Sequence, residues 1–274
     1  MPKLHISKNT FFHGSLLIIF YLIIRLPLIN GGLWHDEIYN TSIYLAPDKS
    51  EIAIEREDAI SSEYPWLAEN FNRSSDWKRQ ISLHPPFISI FYAVWIKIFG
   101  DSEISLHIPP IIAGILTVIV LYLLGTLIFD KNVGFLAALA LTFSAPHITY
   151  SAMAVPAMFE MCIFLISLYF FFKFMLVEDR KYFNLLLLCN AMGILIYYHY
   201  FVYIIMQTAV FWFSKQRLKI TMSYFAVALL SLFSFFWFVL YNYQQNKYLL
   251  GHWQLNDIKT TLKNITYLPI TFSN

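Results

Sequence analysis

Residues 104–129 read ISLHIPPIIAGILTVIVLYLLGTLIF, a run without a single Asp, Glu, Lys or Arg. At about 1.5 Å per residue, a helix of this length crosses the ~30 Å hydrocarbon core of a bilayer. Backbone polar groups in lipid must be satisfied within their own segment, so an apolar run of this length implies a helix. Comparable apolar stretches recur at 11–29, 86–99, 133–150, 155–177, 182–213 and 220–241. The stretch 182–213 is long enough for two short helices, with the break near Tyr197-Tyr198-His199-Tyr200. The pattern predicts an all-α, polytopic transmembrane bundle of seven or eight helices.

Composition agrees. Hydrophobic residues make up 58% of the chain and charged residues only 13%, about half the share found in soluble proteins. Too little polar surface remains for a water-soluble globule. A net charge of +2 is too small to suggest nucleic acid as a partner. Cys162 and Cys189 both lie inside apolar runs, where a thiol is a small apolar filler. Lys3 and Lys8 precede the first apolar run, and no small-residue cleavage site follows it. The N-terminus therefore reads as an uncleaved first membrane helix.

Lysine and arginine set the orientation. Lys3, Lys8, Lys131, Arg180, Lys181, Lys215, Arg217 and Lys219 lie in the tail or in short connections, which places these on the cytoplasmic side. The polar segment 30–83 then lies outside. It holds ten of the seventeen acidic residues and five basic ones. Asp48 and Glu51 have capping-box spacing, and Tyr64, Trp66, Phe71 and Trp77 suit the headgroup level. One or two short interfacial helices are expected there. If residues 84–86 and 146–156 both face outward, an even number of crossings separates them, yet three apolar stretches intervene. The stretch 86–99 is the one expected not to cross, because its helix reaches only ~21 Å.

The sharpest polar feature is Leu33-Trp34-His35-Asp36-Glu37-Ile38-Tyr39, just after the first helix. A carboxylate at the membrane–water boundary can act as general base toward a hydroxyl, and its neighbour can orient a second group or hold a cation. Solvation in a polar loop is the plainer reading. Leu83-His84-Pro85-Pro86 opens an apolar run. Its prolines fix the chain direction, and His84 could meet a phosphate, bind a metal or simply sit at the interface. Tyr198 and His199 interrupt another run, where a histidine is costly and either functional or a helix–helix bond. Arg25 lies near the outer end of the first helix, within reach of headgroups or a lipid phosphate. Glu160, near a helix start, is explained as well by helix–helix bonding as by catalysis.

These motifs, in this order, resemble the GT-C membrane glycosyltransferases, and most closely the protein O-mannosyltransferase and aminoarabinose-transferase-like group. The resemblance rests on the Trp-His-Asp-Glu motif, His-Pro-Pro before a short run ending in Phe99-Gly100, and Ser105-Leu106-His107-Ile108-Pro109. It rests also on Ala145-Pro146-His147-Ile148-Thr149-Tyr150-Ser151 and Tyr198-His199-Tyr200-Phe201. It spans about residues 20–205. It implies sugar transfer, with inversion, from a polyprenyl-phosphate carrier to a lipid, glycan or protein acceptor of the cell envelope on the extracytoplasmic face of the plasma membrane. It implies Asp36 as catalytic base with Glu37 beside it. His84 would lie at the donor phosphate, and His199, Tyr198, Arg25 and His107 in the substrate site. It names no certain cofactor. Asp36, Glu37 and the histidines could hold a divalent cation, though their spacing is not diagnostic.

The chain departs from the family pattern at Ala152-Met153-Ala154-Val155-Pro156-Ala157, where relatives carry an acid and an arginine. His107 stands where arginine is common. Residues 1–241 are expected to form the glycosyltransferase module. Residues 242–274 are expected to be a polar tail that begins a further part. The competing readings are a non-catalytic membrane subunit of the same fold and a lipid-carrier or sugar transporter. The polar motifs gather toward one face rather than the midplane, which favours an interfacial enzyme over a transporter.

Overall fold

The computed structural model describes residues 8–29, 85–197 and 200–213, together with Tyr224 and Leu229. The expected interfacial helices of 30–83, most of the stretch 220–241 and the tail 242–274 lie outside the described residues. Eight α-helices and no strand occur among the described residues: α1 (Lys8–Arg25), α2 (Pro86–Phe99), α3 (Glu103–Ile128), α4 (Lys131–Thr142), α5 (Ala145–Ser151), α6 (Pro156–Val177), α7 (Arg180–Ile196) and α8 (Phe201–Phe213). A short 3-10 turn, Leu26–Leu28, extends α1.

Three helical segments are long and apolar enough to cross a membrane: Thr10–Leu28, Glu103–Ile128 and Pro156–Val177. A fourth qualifies if α4 and α5, bent by 66°, count as one span. The stretch 133–150 is thus not one straight helix. Ser144 is extended and Pro146 stands in the first turn of α5, where its missing N–H cannot continue the ladder of α4 to the Thr142 carbonyl. The stretch 182–213 divides as expected, with α7 ending before Tyr197 and α8 resuming at Phe201.

The sequence explains where each helix starts and stops. Asp130 caps α4 by accepting from the backbone N–H groups of Asn132 and Val133. Asp179 caps α7 through the N–H of Lys181, and Ser102 caps α3 through that of Ser105. Each cap satisfies donors that the helix leaves open. The apolar side chains divide between interior and exterior. On α1, Leu17, Tyr21 and Arg25 recur every fourth residue and are buried, while Phe12, Ile19 and Ile23 are exposed. An apolar outer face suits lipid, whose chains are as apolar as leucine.

Contacts define two ends of the bundle. Near the start of α1, His13 stacks on Phe135 of α4 with centroids 4.6 Å apart and lies 3.5 Å from the Tyr122 hydroxyl of α3. The end of α1 meets the start of α3 and the end of α4. His107 reaches the carbonyl of Ile29 at 2.9 Å, and Arg25 donates to the carbonyl of Thr142 at 2.7 Å. At this same end Ile88 and Tyr92 of α2, Leu106 of α3, Ala154 between α5 and α6, and Ile196 of α7 form one cluster.

α2 stays at this end along its length. Its docking follows from two prolines. Pro109 and Pro110 lie inside α3 and carry no N–H, so the carbonyls of Ser105 and Leu106, four residues earlier, lose their helical donors. Trp95 Nε1–H donates to the Ser105 carbonyl at 3.0 Å, and the Tyr92 hydroxyl donates to the Leu106 carbonyl at 3.3 Å. Both Ile88 near its start and Trp95 near its finish thus meet residues at this end of the bundle.

Candidate functional site

At the end where α1 finishes, polar side chains meet inside the bundle. Arg25 is fully buried there. Its Nε donates to Ser151 Oγ at 3.1 Å, Nη1 to the Thr142 carbonyl at 2.7 Å and Nη2 to His147 Nδ1 at 3.0 Å. The guanidinium carbon stands 4.3 Å from the centre of the Tyr21 ring, in cation–π range. The Tyr21 hydroxyl in turn donates to the Ile111 carbonyl at 3.0 Å. An arginine has no acceptor to offer, so His147 Nδ1 must be the acceptor and its proton sits on Nε2. His147 is buried, and its Nε2 has no hydrogen-bond partner among the described residues.

His107 is buried in the second turn of α3. Since the Ile29 oxygen can only accept, His107 Nδ1 carries the proton in that bond. His107 therefore ties down the last described residue before the Trp-His-Asp-Glu segment. Of the residues proposed for the site, Arg25 and His107 are described, and both are interior. Asp36, Glu37, His84, Tyr198 and His199 lie outside the described residues. Described residues near them lie at this one end: Ile29, seven residues before Asp36, Ile88, four residues after His84, and Tyr197 before Tyr198. Tyr200, after His199, packs instead with Ile194, Ile204 and Phe211 in a second cluster.

Two features escaped sequence reasoning. One is the set of partners around Arg25. The other is a closed ring of side-chain bonds among three helices. Ser167 Oγ donates to Asn190 Oδ1 at 2.8 Å, Asn190 Nδ2 to Gln207 Oε1 at 2.9 Å, and Gln207 Nε2 back to Ser167 Oγ at 2.9 Å. The hydroxyls of Tyr200 and Tyr224 join at Asn190. Asn190 thereby fills both lone-pair directions and both N–H bonds. The available signal was an amide side chain within each of two apolar helices, since such groups bond across helices in membranes.

An apolar groove of about 360 Å³ runs between α2, α3, α6 and α7. Phe87, Phe91 and Trp95 form one wall, and Ile112, Leu116, Phe159 and Met192 contribute to the others. A second groove continues along the outer face of α2 past Ile90, Val94 and Ile98. Phe87 lies three residues from His84. No group of three or more potential metal ligands occurs among the described residues.

A family profile described as dolichyl-phosphate-mannose-protein mannosyltransferase matches residues 83–243, more than half of the chain. The matched span includes His84, His107, Tyr198 and His199. Arg25, Asp36 and Glu37 precede it. No characterised protein and no solved structure matches the chain. The helical bundle and the matched span define an integral membrane glycosyltransferase of the GT-C type. The chain belongs to the dolichyl-phosphate-mannose-protein mannosyltransferase family.

Proposed function

We propose that this protein transfers a sugar from a polyprenyl-phosphate donor to an acceptor hydroxyl at the extracytoplasmic face of the membrane. The observation that carries the reading is convergence. Ile29, seven residues before Asp36, Ile88, four residues after His84, and Tyr197, next to Tyr198, all lie at the end of the bundle where α3 begins. The opposite end bears Lys131 and the Arg180–Lys181 pair, beside the start of α1, which supports a cytoplasmic assignment for it.

In this reading the acceptor O–H loses its proton to the Asp36 carboxylate as its oxygen attacks the anomeric carbon from the face opposite the phosphate. The bond from that carbon to the phosphate oxygen breaks, and the phosphate leaves with the electron pair. The result is inversion. Glu37 orients Asp36 or the acceptor. His84 faces the departing phosphate, where a hydrogen-bond donor stabilises developing charge. Tyr198 and His199 complete the polar wall. The groove beside Phe87 and Trp95 takes the isoprenoid chain, whose apolar surface it matches.

A labelled polyprenyl-phosphate sugar, presented in membranes to the native chain and to Asp36→Asn, tests the reading. The substitution keeps size and shape but removes the base, so the rate should fall by about 10²–10⁴-fold. Glu37→Gln should cost less. Equal and complete loss from both substitutions, reversed by added divalent cation, would point to a shared cation site instead. Undiminished transfer by a folded Asp36→Asn protein defeats the assignment. One observation favours a second reading. Met153 and Val155, at the places where relatives carry an acid and an arginine, are buried and apolar. If the native chain transfers no carrier-linked sugar, it is a non-catalytic subunit of the same fold.

A further inference from the structure

Arg25 is a membrane-embedded cation whose three nitrogens all serve the protein. Thr142 is the last residue of α4 and Ser151 the last of α5. The carbonyls at a helix end lack helical donors and carry the negative pole of the helix. Arg25 Nη1 fills one such position on α4, Nε holds the end of α5 through Ser151, and Nη2 holds the middle of α5 through His147. One guanidinium thus binds both arms of a 66° bend to the end of α1. Only a planar fork reaches three directions at once; a lysine ammonium on a single stem does not reproduce it.

We propose that Arg25, with His147 and Ser151, is a positioning device for the transfer reaction. The joint fixes where the chain leaves α1, four residues before Ile29, and so sets the root of the segment that carries Asp36 and Glu37. His107, bonded to the Ile29 carbonyl, adds a second tie. This inference rests on the proposed function for its kinetic arm. It assigns Arg25 a role through other residues, not through contact with the donor phosphate.

Two roles give opposite kinetics. If Arg25 held the phosphate, Arg25→Lys would keep the charge and much of the activity, and Arg25→Gln would raise the donor KM. For a positioning residue, lysine fails as glutamine does. The loss then falls on kcat, on the order of 10²-fold as for an ångström-scale misplacement, with donor KM changed by less than about twofold. Ser151→Ala and His147→Leu should lower kcat in the same way with smaller effect. His147→Asn, which keeps an acceptor near the Nδ1 position, should restore part of it. These milder variants carry the test if the Arg25 variants do not fold.

A readout independent of sugar transfer completes the experiment. Spin labels at Leu33→Cys and Phe143→Cys, in a chain carrying Cys162→Ala and Cys189→Ala, report the distance between the root of the segment and the bend. The distribution should be narrow with Arg25 and broad with Arg25→Lys. Lysine that sustains native turnover, a loss confined to donor KM, or an unchanged distance distribution overturns the proposal. If the native chain transfers nothing, the enzymatic reading fails while the distances still decide the joint.

Discussion

At the scale of single residues, the interior of this protein is held by polar groups that satisfy one another. Asn190 makes four bonds, to Ser167, Gln207, Tyr200 and Tyr224. Interhelical hydrogen bonds in membranes average about 0.6 kcal/mol each. Asn190→Leu should therefore destabilise the protein by about 2 kcal/mol, seen as a lower unfolding midpoint in detergent. Ser167→Ala, which removes one donor and one acceptor of the ring, should cost less. An Asn190→Leu protein as stable as the native one would mean that the ring contributes nothing. Residue roles are only partly legible in the sequence. A histidine or an arginine in an apolar run announces itself as costly, which is why Arg25 and His199 stand out, whereas His107 is reached only through the resemblance. What each one touches does not announce itself. Ser151 and Thr142 lie 126 and 117 positions from Arg25, and no local pattern encodes such pairings.

Among the helices, proline and glycine set how elements meet. Pro109 and Pro110 free two carbonyls on α3, and α2 docks by filling them with Trp95 and Tyr92. Trp95→Phe keeps the ring but removes the donor, and should loosen α2. A cysteine placed at Ile98 in that background should then react faster with a membrane-permeant thiol reagent than in the native one. Equal reactivity would show that packing alone seats α2. Between α3 and α4 the backbones nearly touch. A Cβ on Gly134 would stand 2.5 Å from the Tyr122 carbonyl oxygen, and one on Gly125 would stand 2.6 Å from the Gly134 Cα. Both obstacles are backbone, so Gly134→Ala must force the helices apart and lower thermal stability more than an alanine at the exposed Leu136. Helix bounds are local properties, written in runs of apolar residues, Asp caps and prolines, and the break at Tyr197–Tyr200 is readable from sequence for that reason. The 66° bend at Ser144 is marked by Pro146, yet an unbroken apolar run from 133 to 150 hides it.

For the whole molecule, the decisive property is which way the bundle faces. The proposed orientation places 30–83 outside and the turn between α6 and α7 inside. In a chain carrying Cys162→Ala and Cys189→Ala, a cysteine at Ser61 should be labelled by an impermeant thiol reagent added from outside. A cysteine at Asp179 should be labelled only after the membrane is opened. Outside labelling at Asp179 would invert the bundle and move the proposed active face with it. Orientation is legible because lysine and arginine in short connections record it. The meeting of Ile29, His107, Ile88 and Ile196 at one end is not legible in any local pattern, since it depends on how distant helices pack.

The two ends of the bundle are built differently. At the end bearing Lys131 and Arg180, the helices turn back within a residue or two, sealed by Asp130, by Glu178 in the left-handed conformation and by Asp179. At the other end the chain departs from helix before Pro86, at Ser144, across Ala152–Val155 and at Tyr197. The apolar groove between α2, α3, α6 and α7 opens beside this looser end. In the proposed reading, a long-chained lipid would enter it sideways from the bilayer instead of threading through an opening from above.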